Sequence, residues 1–273
     1  MTERFSGKLC VVTGAGSGIG RALARALASR GARLALSDID EHGLAETVAL
    51  LGQPAANTIR ADRLDVADAA AVTTYAATVK ESLGDADFLF NVAGRTRIGD
   101  FADTALEHFE EVMNVNFWGV VRMSKAFLPQ LIETRGGLVN ISSLFGLIGF
   151  RGQSHYCASK FAVRGFSETL ALELEDAGVS VTSVHPGGVA TNIVRNAGLD
   201  ALPEGVENKQ AFDAAFDKMA ITSAEKAAQI ILAGAAKRKR RVIVGPDAKF
   251  VSGLQRLFPQ NYAKILKKLR RQG

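Results

Sequence analysis

Short apolar runs alternate with longer segments of helical periodicity along most of this chain. The apolar runs have the length and composition of buried strands, and they lie at residues 8–13, 33–37, up to 66, 87–91, 138–142, 179–184 and 240–245. Helix-forming segments follow most of these runs, at 21–28, 41–51, around 116, and from 156 to about 175. Crossovers of this length join parallel strands, so the pattern predicts an α/β fold with a doubly wound parallel sheet of about seven strands and helices on both faces.

The alternation weakens after residue 187. Residues 188–221 mix apolar and polar groups with Gly198, Pro203 and Gly205, as is typical of a mobile lid over a site. Thr222 and Glu225 have the spacing of a capping box that would begin another helix. We find no internal repeat and no boundary of a second domain. The predicted division is one domain over residues 1–245 and a C-terminal tail over 246–273.

The composition is that of an ordinary soluble globular protein, with 273 residues, 47% of them apolar and 22% charged. Two cysteines do not make a disulfide framework, which favours a reducing compartment. The four histidines show no metal-ligand spacing, so no metal site is predicted. We see neither a signal peptide nor an apolar run long enough to cross a membrane. A cytoplasmic location is therefore expected.

A cluster of glycines joins the first apolar run to a strong helix-forming segment. Residues 13–20 read Thr-Gly-Ala-Gly-Ser-Gly-Ile-Gly. Glycines let the backbone approach a pyrophosphate, and the N-terminus of the following helix supplies free N–H groups and a positive dipole end. The order strand, glycine turn and helix therefore predicts a dinucleotide phosphate site, although a simple tight turn is the alternative.

Two acidic residues follow the second and third apolar runs. Asp38 can accept hydrogen bonds from both hydroxyls of an adenosine ribose, and it repels a 2′-phosphate. No basic residue stands at Ser17 or Ile39, where such a phosphate would need one. The sequence therefore predicts NAD rather than NADP. Asp65 has two interpretations, a hydrogen bond to the adenine amino group or a role in capping the next helix.

Three polar side chains after residue 142 suggest acid–base chemistry. Ser143 follows an apolar run, and Tyr156 and Lys160 lie one turn apart on the same face of a predicted helix. A tyrosine hydroxyl has a pKa of about 10, and an adjacent ammonium group favours the phenolate. Tyr156 is therefore a candidate acid and base for an alcohol or a carbonyl, with Ser143 as a hydrogen-bond donor to the same oxygen.

Together these motifs resemble the short-chain dehydrogenase/reductase family, from residue 8 to about 245. The matching positions are the TGxxxGxG turn at 13–20, Asn91-x-Ala93-Gly94, Asn116, Ser143, Tyr156-x-x-x-Lys160 and Pro186-Gly187, all in the family's order. Ser143 is preferred to Ser142 because the family pattern is S-x-x-G and Gly146 supplies the glycine. Asn116 is preferred to Asn114 because it matches the asparagine shortly before a helix-packing residue of the family. The resemblance implies a Rossmann fold and NAD(P)-dependent alcohol–ketone chemistry.

The resemblance also implies roles for the four candidate catalytic residues. Tyr156 would exchange a proton with the substrate oxygen, and Ser143 would position that oxygen. Lys160 would bind the nicotinamide ribose and lower the pKa of Tyr156. Asn116 would hold a water that links Lys160 to solvent.

A larger set of positions would contact the cofactor. They are Gly14, Ser17, Gly18, Ile19 and Gly20 in the glycine turn, Asp38 at the ribose, Asp65 and Val66 at the adenine, Asn91, Ala93 and Gly94 in the turn beneath it, Tyr156 and Lys160, and Pro186, Gly187, Val189 and Thr191 beside the nicotinamide. Family members are usually dimers or tetramers joined through the two helices that here carry Asn116 and Tyr156. A homodimer or homotetramer is therefore expected.

The expected partner is a small-molecule alcohol or ketone. Apolar residues after Ser143 and in the lid favour a lipophilic secondary alcohol, and they are Leu144, Phe145, Leu147, Ile148, Phe150, Ile193, Val194, Phe212 and Phe216. The alternative is that these side chains pack the lid onto the body. The segment after Ser143 also resembles proteins labelled acetoin dehydrogenases, which keeps a small diol as a second substrate class. A catalytically silent dinucleotide-binding regulator is the third interpretation.

Two basic segments lie near the end of the chain. Residues 237–241 read Lys-Arg-Lys-Arg-Arg, which we interpret as a solvated helix end rather than a nucleic-acid site. In the tail, Tyr262, Ile265, Leu266 and Leu269 have helical spacing among basic residues. This pattern favours packing on the protein's own body or a neighbouring subunit over peripheral contact with an anionic membrane.

Overall fold

The computed structural model describes residues 4–52, 58–202 and 205–270. Within these residues the strands are β1 (Leu9–Thr13), β2 (Arg33–Asp38), β3 (Ile59–Arg63), β4 (Phe88–Asn91), β5 (Arg97–Ile98), β6 (Gly137–Ile141), β7 (Ser180–Pro186), β8 (Val189–Ala190), β9 (Gly198–Leu199), β10 (Thr222–Ser223) and β11 (Arg241–Val244). Seven of them form one parallel sheet in the order β11-β7-β6-β4-β1-β2-β3. The predicted doubly wound α/β fold is confirmed.

The described helices connect these strands. They are α1 (Gly18–Ala28), α2 (Glu41–Ala49), α3 (Ala69–Leu83), α4 (Leu106–Met113), α5 (Gly119–Glu133), α6 (Ser154–Glu173), α7 (Lys209–Met219), α8 (Ala224–Ala236), α9 (Pro246–Leu257) and α10 (Tyr262–Arg270). A π-helical segment, Asn114–Trp118, joins α4 to α5, and a 3₁₀ turn, Leu144–Gly146, follows β6.

The central strands β1, β4 and β6 are buried on both faces, which explains why they read as continuous apolar runs. The edge strand β3 is more polar and only partly buried. Successive residues of β1 point to opposite faces. Cys10 and Val12 belong to a core shared with α1 and α8, and Leu9 and Val11 to a core shared with α3, α5 and α6. The strand order reverses between β1 and β4, so a crevice opens at the carboxyl ends of these two strands, where open α/β sheets bind ligands.

Several predicted boundaries differ from those observed. The sequence predicts that β7 breaks at His185, but His185 and Pro186 continue the strand and pair with β11. Pro186 lies beyond the last residue that pairs with β6, at a strand end where a missing N–H is tolerated. The third strand ends at Arg63 rather than at Val66, because the chain turns there toward α3.

The predicted capping box is wrong by one residue. Ser223, not Thr222, caps α8, and its hydroxyl accepts the N–H of Lys226 at 3.1 Å. Thr222 instead pairs with Val189 in the short parallel ladder of β10 and β8. That ladder fixes the start of the predicted lid. Later in the lid, β9 pairs with β5, and Asp200 forms an ion pair with Arg97 at 2.5 Å.

The tail folds as α9 and α10. The hydroxyl of Tyr262 accepts the N–H of Gly149 at 2.9 Å, which favours the interpretation that the tail packs on the protein's own body. Part of its apolar surface stays exposed, including Phe250, Leu257 and Phe258. In the part of the chain that the structure describes, no helix combines the length and the apolar character needed to cross a membrane.

Candidate active site

The turns that follow β1 and β4 are locked together at the crevice. The hydroxyl of Thr13 accepts the N–H groups of Val92 and Ala93 at 3.0 and 3.1 Å. Gly14 has a φ of +66°, and a Cβ there would lie 2.8 Å from the nitrogen of Ala93. Only glycine fits this position, both for its backbone conformation and for the approach of the second turn.

The glycine turn leads into the N-terminus of α1. Gly18 has a φ of +49°, and a Cβ there would lie 3.0 Å from the methyl group of Thr191. A Cβ at Gly20 would overlap the carbonyl oxygen of Gly14, so the turn needs this glycine for its own packing. Ser17 stands at the N-cap but makes no side-chain capping bond, so the first-turn N–H groups keep their capacity to bind an anion. This geometry fits the pyrophosphate of a dinucleotide.

Asp38 stands at the end of β2 beside the same turn. Its carboxylate accepts the N–H of Gly16 at 2.8 Å and that of Asp40 at 3.0 Å, and the side chain remains partly exposed. Arg21, the basic side chain that also contacts Gly16, is held by Glu46 at 2.7 Å and by Thr47 at 2.9 Å. The Asp38 carboxylate can accept further hydrogen bonds, and the neighbouring Arg21 is already paired with Glu46 and Thr47. This arrangement fits the two hydroxyls of a ribose.

Two other predicted cofactor positions have buried side chains. Val66 packs against Gly119, where a Cβ would lie 2.7 Å from a valine methyl group. Asn91 is buried and donates to Asn140 at 2.9 Å and to Ser124 at 3.3 Å. Any contact of Val66 or Asn91 with a cofactor would therefore come from the main chain.

Asp65 is not the cap of α3. Asp68 caps this helix by accepting the N–H groups of Ala70 and Ala71. One oxygen of Asp65 accepts the N–H of Ala67 at 2.9 Å, and the side chain is partly exposed. The capping interpretation of Asp65 is thus wrong, and the contact with adenine stays a prediction.

Ser143, Tyr156 and Lys160 are brought together by β6 and the first turns of α6. Ser143 is separated from the end of β6 by one residue, Ser142, and it caps the 3₁₀ turn. Its hydroxyl accepts the N–H of Phe145 at 3.1 Å and lies close to the Tyr156 hydroxyl. The ammonium of Lys160 lies 5.5 Å from the centre of the Tyr156 ring. It donates to the carbonyl oxygen of Ile141 at 3.0 Å. The predicted clustering of these three side chains agrees with the structure.

The electrostatics differ from the expectation for Tyr156. Burial raises the pKa of Tyr156 to about 12, although its hydrogen bond with Ser143 acts in the opposite direction. Burial lowers the pKa of Lys160 to about 8. Desolvation of the phenolate is thus the main influence on the pKa of Tyr156 in the protein without cofactor. The lowering of this pKa by Lys160 with a bound nicotinamide stays a prediction.

Asn116 lies in the π-helical segment and is fully buried. It accepts the N–H of Arg95 at 2.8 Å, and it donates to the carbonyl of Arg95 at 2.9 Å and to Ser159 at 3.0 Å. A Cβ at Gly94 would lie 3.2 Å from the Asn116 oxygen and 3.4 Å from the Lys160 nitrogen. Asn116 and Lys160 therefore both lie against Gly94, in the turn after β4.

The start of the lid completes the crevice. Pro186 and Val189 are buried, Gly187 and Thr191 are partly exposed, and Thr191 contacts Gly18 across the crevice. The predicted nicotinamide positions therefore adjoin the glycine turn. Among the described residues, no group of three His, Cys, Asp or Glu side chains is arranged to hold a metal ion.

Two residues near the site were not predicted from the sequence. The Nδ1 atom of His185 lies 3.1 Å from the carbonyl oxygen of Ser143, directly behind that residue. Asp247, in the first turn of α9, accepts the N–H of Gly188 at 2.6 Å. The Gly-Pro-Asp sequence at 245–247 signals the start of a helix, but nothing in it indicates a contact with a distant turn.

Comparison with known proteins agrees with this geometry. The family model for short chain dehydrogenases matches residues 8–202. SadH of Mycobacterium tuberculosis, assigned as an oxidoreductase, is 46% identical over 266 residues, covering 96% of this chain and 95% of SadH. A meso-2,3-butanediol dehydrogenase of Serratia marcescens is 37% identical over 190 residues, covering 70% of this chain and 74% of that enzyme.

A solved structure gives the same result for the fold. The short-chain dehydrogenase/reductase of Burkholderia phymatum, determined in complex with NAD, has a TM-score of 0.82 and 30% identity, covering 94% of this chain and 95% of that one. The predicted resemblance is confirmed by sequence and by structure. The chain belongs to the short-chain dehydrogenase/reductase family of oxidoreductases that use a nicotinamide dinucleotide.

Proposed function

We propose that the protein is an NAD-dependent oxidoreductase that interconverts a lipophilic secondary alcohol and its ketone, with Tyr156 as the proton acceptor and donor. The observation that carries this proposal is the contact of Tyr156 with both Ser143 and Lys160 at the carboxyl edge of the sheet. A hydroxyl donor, an ionisable phenol and an ammonium group at one point suit proton exchange with a substrate oxygen.

Binding of the cofactor uses groups on both sides of the crevice. NAD, when bound, supplies the hydride acceptor of the reaction. The glycine turn and the N-terminus of α1 hold the pyrophosphate, and Asp38 holds the adenosine ribose. Asp65 and Val66 face the adenine, and the turn at Asn91, Ala93 and Gly94 lies beneath it. Lys160 binds the second ribose, which gives its remaining N–H groups an acceptor.

In oxidation, Tyr156 takes the hydroxyl proton of the alcohol while Ser143 holds the substrate oxygen. The phenolate form of Tyr156 requires stabilisation by a nearby positive charge, because burial raises the pKa of Tyr156 to about 12 in the protein alone. Lys160, whose pKa is about 8, is mostly protonated at neutral pH and provides the nearest positive charge. Asn116 holds the turn beside Lys160 and a water that carries the proton on to solvent.

The preference for NAD over NADP is supported by Asp38 and Arg21. The carboxylate of Asp38 would lie against a 2′-phosphate and repel it. Arg21 could neutralise such a phosphate only by leaving its partners Glu46 and Thr47. The charges around this ribose position therefore favour an unphosphorylated cofactor.

The substrate class is supported by apolar side chains near Tyr156. The ring of Phe145 meets the ring of Tyr156 edge-on at 6.2 Å, and Phe150 stacks on Phe145 at 4.6 Å. In the lid, Phe212 and Phe216 are partly exposed. By contrast, Leu147, Ile148 and Val194 are buried and serve packing. A small diol of the acetoin type is the second candidate, supported by the similarity to the butanediol dehydrogenase.

The test of this function is NADH formation from NAD with a graded series of alcohols, from meso-2,3-butanediol to long-chain and sterol-like secondary alcohols. Turnover that rises with the apolar size of the alcohol is expected. Turnover with the diol alone would favour the second candidate. The matched variant is Tyr156→Phe, which should bind NADH normally and lose turnover by about 10³-fold or more. Unchanged turnover in that variant would contradict the mechanism.

A silent regulator would give a different result. Wild-type protein that binds NADH but oxidises no alcohol and reduces no ketone of the series would contradict the enzymatic proposal.

We also propose a homodimer or homotetramer, supported by exposed apolar side chains on α5, on α6 and next to them. They include Trp118, Ile132, Phe161 and Leu172.

A further inference from the structure

The C-terminal helix α9 contacts the turn that follows β7. One carboxylate oxygen of Asp247 accepts the N–H of Gly188 at 2.6 Å. A Cβ at Gly187 would overlap the same carboxylate, so the turn and the side chain are in close contact. The other oxygen of Asp247 is buried and has no hydrogen-bond partner among the described residues. Burial of a carboxylate oxygen without a hydrogen-bond partner costs folding free energy. The surrounding structure must therefore hold Asp247 in this position.

The residues around Asp247 fix its approach. Gly245, immediately before α9, has a φ of +100°, a conformation that favours glycine. A Cβ there would overlap Asp247 and would lie 3.1 Å from the hydroxyl of Thr222. Thr222 belongs to β10, which pairs with β8 directly after the Gly187–Gly188 turn. The end of β11, the start of α9 and the start of the lid therefore form one packed unit.

The other end of the same tail contacts the opposite side of the site. Tyr262 on α10 accepts the N–H of Gly149 at 2.9 Å. Gly149 precedes Phe150, which stacks on Phe145, and Phe145 contacts the ring of Tyr156. The tail thus bonds to the turn after β7 through Asp247 and to the segment after Ser143 through Tyr262.

We propose that Asp247 is a positioning residue of the cofactor site: it holds the Gly187–Gly188 turn in the conformation that receives the nicotinamide. This inference rests on the proposed function, which places Pro186, Gly187 and Val189 beside the nicotinamide. Asp247 itself touches neither cofactor nor substrate; it acts by accepting the N–H of Gly188. The tail beyond residue 245 then contributes to cofactor binding by fixing the Gly187–Gly188 turn.

A purely structural role for Asp247 is distinguishable from this one. An acidic residue in the first turn stabilises a helix through the helix dipole alone. Such a role would lower the melting temperature without changing the affinity for NADH. A role in positioning the turn would change the affinity, and it would be restored by a side chain that keeps the acceptor.

The experiment is a fluorescence titration of NADH against four full-length proteins, with melting temperatures measured in parallel. Asp247→Ala removes the acceptor and should weaken NADH binding about tenfold, the effect of one lost hydrogen bond to a charged group. Asp247→Asn keeps an acceptor oxygen and should stay within about threefold of wild type. Tyr262→Phe, in the same tail, removes only a hydroxyl on the substrate side and should leave NADH affinity unchanged.

Each outcome bears on the proposal. Equal NADH affinity in wild type and Asp247→Ala overturns it. Equal weakening in Asp247→Ala and Tyr262→Phe also overturns it, because the tail would then stabilise the fold in general. If Asp247→Ala does not fold, the NADH affinity of Asp247→Asn is compared with that of wild type instead. A loss of NADH affinity greater than tenfold in Asp247→Asn would contradict the role of the acceptor oxygen. Wild-type NADH binding without turnover would contradict the proposed reaction and leave this comparison intact.

Discussion

The imidazole of His185 is hydrogen-bonded to the main-chain carbonyl of Ser143, with 3.1 Å between Nδ1 and the oxygen. A carbonyl only accepts, so Nδ1 carries the proton, and Nε2 then accepts from the hydroxyl of Ser183 at 3.0 Å. Burial lowers the pKa of His185 to about 4 even though the bond to Ser143 acts to raise it. A neutral histidine therefore links Ser143 to the end of β7.

This arrangement predicts that stability falls in mildly acidic solution. The pKa of His185 drops from 6.5 to about 4 on folding, so between these pH values the unfolded chain binds more protons than the folded protein. The free energy of unfolding should therefore decrease as the pH falls from 6.5 toward 4, with His185 contributing on the order of 3 kcal/mol. Urea denaturation at a series of pH values measures this loss.

The control for this prediction is His185→Asn, whose amide can still donate to the Ser143 carbonyl. Its free energy of unfolding should decline less steeply with falling pH than that of wild type. The decline should not vanish, because burial also lowers the pKa of His155, which the variant retains. Two parallel curves would show that His185 does not titrate as the structure indicates.

Gly146 leads to a prediction about the packing of the candidate catalytic serine segment. A Cβ at Gly146 would overlap the hydroxyl of Ser142 and lie 2.6 Å from the main-chain oxygen of Lys160. The Lys160 oxygen belongs to α6 and cannot rotate away. Gly146→Ala should therefore cost on the order of 2–4 kcal/mol of stability and disturb the placement of Ser143.

Gly253→Ala is the matched substitution, because Gly253 lies in α9 and a Cβ there meets nothing within 4 Å. Replacing a helical glycine with alanine at an open position should raise stability by about 0.5–1 kcal/mol. Thermal and urea unfolding of the two variants should give opposite signs. A Gly146→Ala protein as stable as wild type would mean that the 3₁₀ turn can move away from α6.

The fold and the candidate catalytic set could be predicted because their signals are local. Buried strands are short apolar runs, and Tyr156 and Lys160 share a helix face through their spacing alone. The order of motifs along the chain then identified Ser143 and Asn116. The predicted strand ends are less accurate. Pro186 usually marks the end of a strand, but pairing with β11 extends β7 to this residue.

The remaining features depend on contacts between distant parts of the chain. The approach of Asp247 to Gly188 and of Tyr262 to Gly149 follows from where α9 and α10 pack, which no pattern in residues 246–270 reveals. The upward shift of the Tyr156 pKa in the protein alone has the same origin. The neighbouring Lys160 is visible in the sequence, whereas the burial that raises the pKa of Tyr156 is a property of the folded protein.

Asp38 leads to a prediction about cofactor choice. Asp38→Ser removes the carboxylate that we propose binds the ribose hydroxyls and repels a 2′-phosphate. NADH binding should weaken about tenfold, NADPH binding should improve, and the ratio of the two affinities should change by about 10²-fold. Fluorescence titrations with both cofactors measure the ratio.

The matched control for cofactor choice is Asp65→Asn. The adenine is common to NADH and NADPH, so a change at Asp65 should affect both affinities by the same factor and leave their ratio unaltered. A ratio unchanged in Asp38→Ser would show that Asp38 does not discriminate between the cofactors. A changed ratio in Asp65→Asn would place Asp65 near the ribose rather than the adenine.

Exposed apolar side chains on α6 lie along one stripe. Phe161 and Leu172 are 41% and 61% exposed, and their spacing puts them on the same helix face. Gly165 lies between them, and a Cβ there would meet nothing within 4 Å. Nearby, Trp118 is half-exposed and its ring contacts Phe117, which packs on α6. A smooth apolar stripe of this kind suits close packing against a second copy of the helix.

The prediction is that replacing both Phe161 and Leu172 with serine converts the oligomer to smaller species. Burying each side chain in an interface contributes about 1.5–3 kcal/mol, so the double change should raise the subunit dissociation constant by at least about 10²-fold. Size-exclusion chromatography with light scattering gives the mass. Leu257→Ser is the control, because Leu257 is 75% exposed on α9, outside the stripe, and should leave the mass unchanged. A monomeric wild type would contradict the oligomer itself, and an unchanged mass in the double variant would place the interface elsewhere.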